Sequence, residues 1–132
     1  MKSIVLDTDV LIDYANGHAR WLDMILPSQD LIKVVLPTVV IAEYFASTAL
    51  DNEKEVLIAD KTFAFFTKQD LTENIAKILG SLLRHKTYAS GASTIDLIVA
   101  STSLFLDAEL ATRNKKDFAK IPHLRFFDPK IV

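Results

Sequence analysis

Four acidic residues stand at or just past the ends of apolar runs: Asp7 after Ser3–Leu6, Glu43 inside TVVIAEYF, Asp96 inside TIDLIVAST, and Asp117 inside RNKKDF. The chain has no cysteine and only three scattered histidines, so any metal it holds meets oxygen. Carboxylates suit hard cations such as Mg²⁺ or Mn²⁺, whereas thiolates and imidazoles suit softer ones. Two carboxylates ~5 Å apart at an effective dielectric near ~20 repel by roughly 3 kcal/mol, and three such pairs by ~10 kcal/mol, comparable to the stability of a whole domain. A cluster of this kind requires a cation. The chemistry that follows is metal-assisted hydrolysis of a phosphodiester.

Each acid has a plainer use. Asp96 lies three residues after Ser93, the spacing of a capping box, and Asp117 lies three after Asn114, so both equally suit a helix N-terminus. Asp7 suits a turn. Glu43 is harder to place as structure: it is the only side chain charged at neutral pH between Val34 and Leu50, and its neighbours are Ala42, Tyr44 and Phe45. A buried carboxylate without a partner is costly, and no basic residue lies within a helical turn of it.

The elements that must position these residues alternate along the chain. Ser3–Leu6 reads as a strand stopped by Asp7; Val10, Leu11 and Tyr14 then take helical spacing up to the cap at Asn16-Gly17. A short helix is predicted over 18–26, closed by Pro27, and a strand over 31–36. Thr38 is expected to cap a helix running from Val39 to about Leu50, with Asp51-Asn52 separating it from another over 53–66. Lys68-Gln69-Asp70 reads as a polar link. Thr72 then starts the clearest helix, whose Ile75, Ile78, Leu79, Leu82 and Leu83 follow one face. The small-residue loop over 88–92 leads to a helix over 94–106, then a strand over 109–112, a helical turn over 114–119 and a strand over 124–127. Strands joined by helical crossovers make a parallel sheet, whose ligand sites form beyond the strands' carboxyl ends. Asp7, Thr112 and Asn114 all fall there.

Composition sets limits. With 132 residues, 50% hydrophobic, three Gly and four Pro, the chain is expected to form one domain over 1–132. MKSIVLDTD reaches an aspartate too soon for a signal peptide, and no apolar run approaches the ~18 residues of a membrane span, so a cytoplasmic location is expected. The formal net charge of −2 argues against gripping nucleic acid by bulk electrostatics. Yet residues 1–60 hold four Lys/Arg against ten Asp/Glu, and residues 61–132 eleven against seven. Arg84, Lys86, Arg113, Lys115, Lys116 and Lys120 read either as a solvated surface or as a phosphate-contacting rim.

IVLDTDVLIDY, TVVIAEYF, TIDLIVAST and LATRNKKDFAKIPHLRFFDP, in this order and spacing, resemble the PIN-domain ribonucleases, most closely the VapC-type toxins of toxin/antitoxin pairs. The resemblance implies a PIN-like three-layer α/β/α sandwich with a mainly parallel sheet, Mg²⁺- or Mn²⁺-dependent endoribonuclease activity, homodimerisation and inhibition by a small cognate antitoxin. It carries the metal ligands onto Asp7, Glu43 and Asp96. Many relatives have an aspartate where this chain has Asn114, so Asp117 stands as a ligand, a neighbour acting through water, or a cap. Thr8, Asp9, Thr112 and Asn114 would orient ligands or water; His18, His85 and His123 match nothing catalytic. Two other readings remain at this point. IVLDTDVLI also resembles the phosphatase motif of the haloacid dehalogenases, though with Leu11 where that motif has Thr or Val, and a PIN-like fold can bind RNA or protein without cutting. Tyr44, Phe45, Phe63, Phe65 and Phe66, read as lying on two consecutive helices, are either core or a face for an antitoxin or a second copy.

Overall fold

Ile4, Val5 and Leu6 are fully buried aliphatics in succession, the pattern of a strand covered on both faces, and they form the centre of the sheet. The computed structural model describes residues 2–28, 30–85 and 91–131. Lys86 and the 88–90 part of the small-residue loop lie outside this set.

The order is β1 (Lys2–Leu6), α1 (Thr8–Ala15), α2 (Arg20–Ile25), β2 (Ile32–Pro37), α3 (Thr38–Phe45), α4 (Glu53–Phe63), β3 (Thr67–Gln69), α5 (Glu73–Arg84), α6 (Thr94–Phe105), β4 (Glu109–Ala111), α7 (Lys115–Phe118) and β5 (Arg125–Phe126), with 3₁₀ turns at Leu26–Ser28, Thr48–Asp51 and Pro129–Ile131. The five strands pair in the order β3-β2-β1-β4-β5, and every pairing is parallel. With helices on both sides, the α/β/α sandwich is formed. Val34, Val35 and Leu36 of β2 and Leu110 of β4 continue the buried apolar layer, and each such side chain contributes about 1.5–3 kcal/mol. No described helix is long and apolar enough to cross a membrane.

The topology fixes one special place. The chain builds outward from β1 through β2 to β3, then returns to pair β4 with the other side of β1. The crevice between β1 and β4 is therefore the switch point, where parallel sheets bind ligands. Leu6 pairs with Ala111, so Asp7 and Thr112 leave the sheet side by side, and the Asp7 N–H donates to the Ala111 carbonyl at 3.0 Å.

Several sequence expectations need correction. Lys68 and Gln69 do not form a link but sit in β3, a three-residue edge strand whose Lys68 also donates to the Phe63 carbonyl. Thr38 is the first helical residue and not the cap; Pro37 takes that position with no side-chain bond. The helix begun at Thr38 ends at Phe45, because the Ser47 hydroxyl accepts the Ala49 N–H and starts a 3₁₀ turn instead. The next helix also stops early, at Phe63, so Phe65 and Phe66 lie beyond it. Leu83 does not join the inner face of α5: it is exposed, while Ile75 and Leu82 are buried. Pro27 lies within a 3₁₀ turn that prolongs α2. The aromatic group largely packs on itself, with Tyr44 and Phe63 ring centroids 5.0 Å apart and Phe45 at 6.2 Å from Phe63.

Candidate metal centre

Asp7 caps α1 directly after β1, so one residue ends the strand, starts the helix and faces the switch point. The residue is 4% exposed. Oδ1 accepts the Thr8 N–H at 2.8 Å, and Oδ2 accepts the Thr112 hydroxyl, also at 2.8 Å. Burial pushes its pKa up to about 6, and the charges of Asp9 and Asp96 push the same way, while the two hydrogen bonds pull it back.

Asp9 is the next acid inward on α1. Its Oδ2 accepts the Arg113 N–H at 3.1 Å and lies 3.5 Å from the Thr112 hydroxyl oxygen. Its Oδ1 is buried with no hydrogen-bond partner among the described residues. Burial raises this carboxyl too, against the Arg113 N–H and guanidinium. Thr112 therefore ties Asp7 to its neighbours, and its own oxygen accepts the Asn114 N–H at 3.0 Å.

Glu43 comes from the last turn of α3, which packs on α1. It is half-buried and has a partner: Oε1 accepts the Thr8 hydroxyl, whose own N–H bonds Asp7. The expectation of a partnerless buried glutamate gives way to a Thr8 bridge between Glu43 and Asp7. Asp96 forms the capping box in full, with its N–H donated to the Ser93 hydroxyl at 3.1 Å and its Oδ2 accepting the Ser93 N–H at 3.0 Å. The same residue is near enough to raise the Asp7 pKa. Cap and pocket neighbour are thus compatible, because a carboxylate has a second oxygen.

Asp117 joins this chain of contacts through Asn114, whose backbone N–H bonds the Thr112 hydroxyl. Its Oδ2 accepts the Asn114 side-chain N–H at 2.6 Å, and a Cβ placed on Gly91 would lie 3.1 Å from its Oδ1. It makes no cap bond of the kind the Asn114 spacing suggested, because the bond runs between the two side chains and Asn114 has no side-chain cap bond.

Among the described residues no three carboxylates or imidazoles stand close enough to cage an ion. The donor set nonetheless fits a hard divalent cation. Mg²⁺ keeps several waters and is held by one or two carboxylates, so a full cage is not required. A buried acceptor without a partner at Asp9 and a carboxyl held up by burial at Asp7 are both groups that a cation would satisfy. Sequence reasoning missed the ion pair beside them, where Arg113 Nε donates to Asp13 Oδ2 at 2.7 Å. The only signal was Asp13 standing four residues after Asp9 on one helix face.

The PIN domain family model matches residues 4–124. Ribonuclease VapC19 of Mycobacterium tuberculosis is 31% identical over 75 residues, 56% of this chain and 60% of that protein, so the match spans less than two thirds of this relative. Three solved structures share the fold: DNA-bound VapBC from Salmonella typhimurium (TM-score 0.84, 17% identity, 98% of this chain and 99% of that one), VapBC2 from Rickettsia felis bound to a promoter DNA fragment (0.79, 21%, 95% and 97%) and FitAcB from Neisseria gonorrhoeae (0.74, 21%, 98% and 99%). With that model covering most of the chain, and with acids gathered beside the switch point of a parallel sheet, the chain belongs to the PIN domain family.

Proposed function

We propose that this chain is a Mg²⁺- or Mn²⁺-dependent endoribonuclease, working in the cytoplasm as the toxin of a toxin/antitoxin pair. Residues 1–132 act as one PIN-like unit and as a homodimer. The observation that carries the reading is Asp7: a carboxylate almost wholly buried at the switch point, with Asp9 and Asp96 adding negative charge around it and Glu43 tied to it through Thr8. Such an arrangement opposes its own folding unless a cation joins it. Similarity to a ribonuclease over 75 residues supports the choice of RNA.

Asp7, Glu43 and Asp96 would hold the ion, with Asp117 contributing directly or through water. An ion held by these carboxylates would supply Lewis acidity toward a phosphoryl oxygen and toward a water. Thr112 fixes the Asp7 carboxylate by donating to Oδ2, and Thr8 fixes Glu43. Arg113, Lys115 and Lys116 lie exposed after β4, where they neutralise backbone phosphates and offset the acidic half of the chain. A cleft of about 290 Å³ between α1 and α3, lined by Ile12, Tyr44, Leu50 and Glu43, suits an antitoxin segment that would cover the site.

The test is cleavage of end-labelled RNA by purified protein with Mg²⁺, with Mn²⁺, and with EDTA. Internal cuts that need the metal, and that vanish in Asp7→Asn, are expected. A wild-type protein that binds RNA but never cuts it would instead make this a non-catalytic PIN-like module. Co-expression with the product of a short neighbouring reading frame should relieve growth arrest; arrest unaffected by it removes the antitoxin role.

A further inference from the structure

A second concavity, of about 270 Å³, opens between α1, α2 and the ends of β4 and β5, and Thr112 lines it while bonding Asp7. The candidate metal centre and this cavity therefore share a wall. Its volume falls just below the ~300 Å³ at which pockets for drug-sized ligands start, which suits a single ring system. Its inner side is aromatic: Trp21, the single tryptophan of the chain, is half-buried with its ring centroid 5.0 Å from that of buried Phe127.

The rim is polar and held in place. Gly17 takes a φ of +78°, which reverses the chain after α1 and lets the His18 N–H donate to the Asp13 carbonyl at 2.7 Å. His18 and Asp13 thus reach the same rim. Asp13 Oδ2 also receives Arg113 Nε at 2.7 Å, while the Arg113 side chain stays 64% exposed. That ion pair engages Nε and leaves other guanidinium donors over for a ligand at the rim.

We propose that this cavity receives one nucleobase of a single-stranded RNA, beside the phosphate that meets the carboxylates. This rests on the nuclease reading above. The ring system packs against Trp21 and His18, the Asp13 carboxylate accepts from an exocyclic amine, and Arg113 reaches the adjoining phosphate. Sequence-specific recognition of RNA works through unstacked bases placed on aromatic and guanidinium planes. A phosphate alone does not fit the interior of the cavity, because the Trp21 and Phe127 rings form its inner side and the Asp13 carboxylate repels an anion there. Lys115 and Lys116, exposed on the following helix, add positive charge two and three residues after Arg113.

Because Trp21 is the sole tryptophan, its fluorescence reports occupancy without any cleavage. Asp7→Asn protein in Mg²⁺ is titrated with tetraribonucleotides of each base and with an abasic tetramer of equal charge. Base-dependent quenching is expected, strongest for one base type and absent with the abasic tetramer. Equal response to the abasic tetramer, or no response while anisotropy shows the labelled RNA bound, overturns the proposal. Trp21→Leu should weaken binding of the preferred tetramer about tenfold by anisotropy, the loss of one stacked base. The titration of the Trp21-containing protein decides the matter if that variant does not fold. Wild-type protein that cuts RNA without base-dependent quenching sinks the subsite alone; protein that neither binds nor cuts RNA sinks the nuclease reading as well.

Discussion

Asp7→Asn is expected to make the metal-free protein harder to unfold at neutral pH. The Asp7 carboxyl titrates near 3.8 in an unfolded chain and at about 6 when folded, chiefly because it is buried. At about 1.4 kcal/mol per pH unit, that difference opposes folding by about 3 kcal/mol once the group is ionised in both states. Below pH 3.8 the carboxyl is protonated folded or unfolded and opposes nothing. As pH rises the unfolded chain loses its proton first, so stability falls between 3.8 and about 6 and stays low above that.

Asparagine removes the charge and keeps an oxygen to accept the Thr8 N–H, as good caps do. Its amide makes a poorer partner for the Thr112 hydroxyl, at a cost of about 1 kcal/mol. The net gain at pH 7.5 in EDTA is about 2 kcal/mol, or roughly 7 °C in Tm for a chain of this length. At pH 4, where the unfolded carboxyl is only partly ionised, the gain should give way to a small net loss of about 0.5 kcal/mol. Urea and thermal unfolding of both proteins across pH 4–8 measure it. Saturating Mg²⁺ should reverse the order, since ligand at ~100 times its Kd adds about 2.7 kcal/mol to whichever protein binds it. A variant equally destabilised at pH 4 and pH 7.5 would refute the reasoning, because Asp7 would then be an ordinary cap.

Other expectations follow from single contacts. Thr112→Val removes the donor that holds the Asp7 carboxyl down, so that carboxyl should titrate higher still and the metal-free protein lose about 1–3 kcal/mol at pH 7.5, read by urea unfolding. Ser93→Ala removes the hydroxyl that accepts the Asp96 N–H, leaves the backbone N–H on Asp96 Oδ2 in place, and should lower stability by about 1 kcal/mol; a calorimetric Tm lowered by roughly 3–4 °C is the check. Gly91→Ala puts a Cβ against Asp117 Oδ1 at a residue whose φ is +88°. It should cost about 1 kcal/mol and shift the Asn114 and Asp117 amide resonances, and unshifted resonances would show that position 91 does not touch Asp117.

The buried strands were legible because continuous β-branched runs have few other uses, as in Ile32–Pro37. β3 was not, since its three polar residues gain strand geometry only by pairing with β2 at the edge of the sheet. Helix ends were misjudged where a local side-chain bond outcompeted periodicity, as Ser47 does after α3. At the site, residue types pointed to oxygen chemistry, but connectivity did not show. Nothing in the order of residues says that Thr8 bridges Glu43 to Asp7, or that one threonine at the end of β4 reaches back to Asp7 across 105 positions. Asp96 looked like a choice between cap and ligand; the capping box shows the cap, and the nearness to Asp7 leaves the ligand role proposed above open to the carboxylate's other oxygen.

Anomalous scattering from crystals soaked in Mn²⁺ tests the central claim directly. A manganese peak is expected about 2.1 Å from an Asp7 oxygen, with Glu43 or Asp96 bound to the same ion directly or through one water. Manganese bound elsewhere on the surface, with the Asp7 carboxylate still engaged only by Thr8 and Thr112, would contradict it.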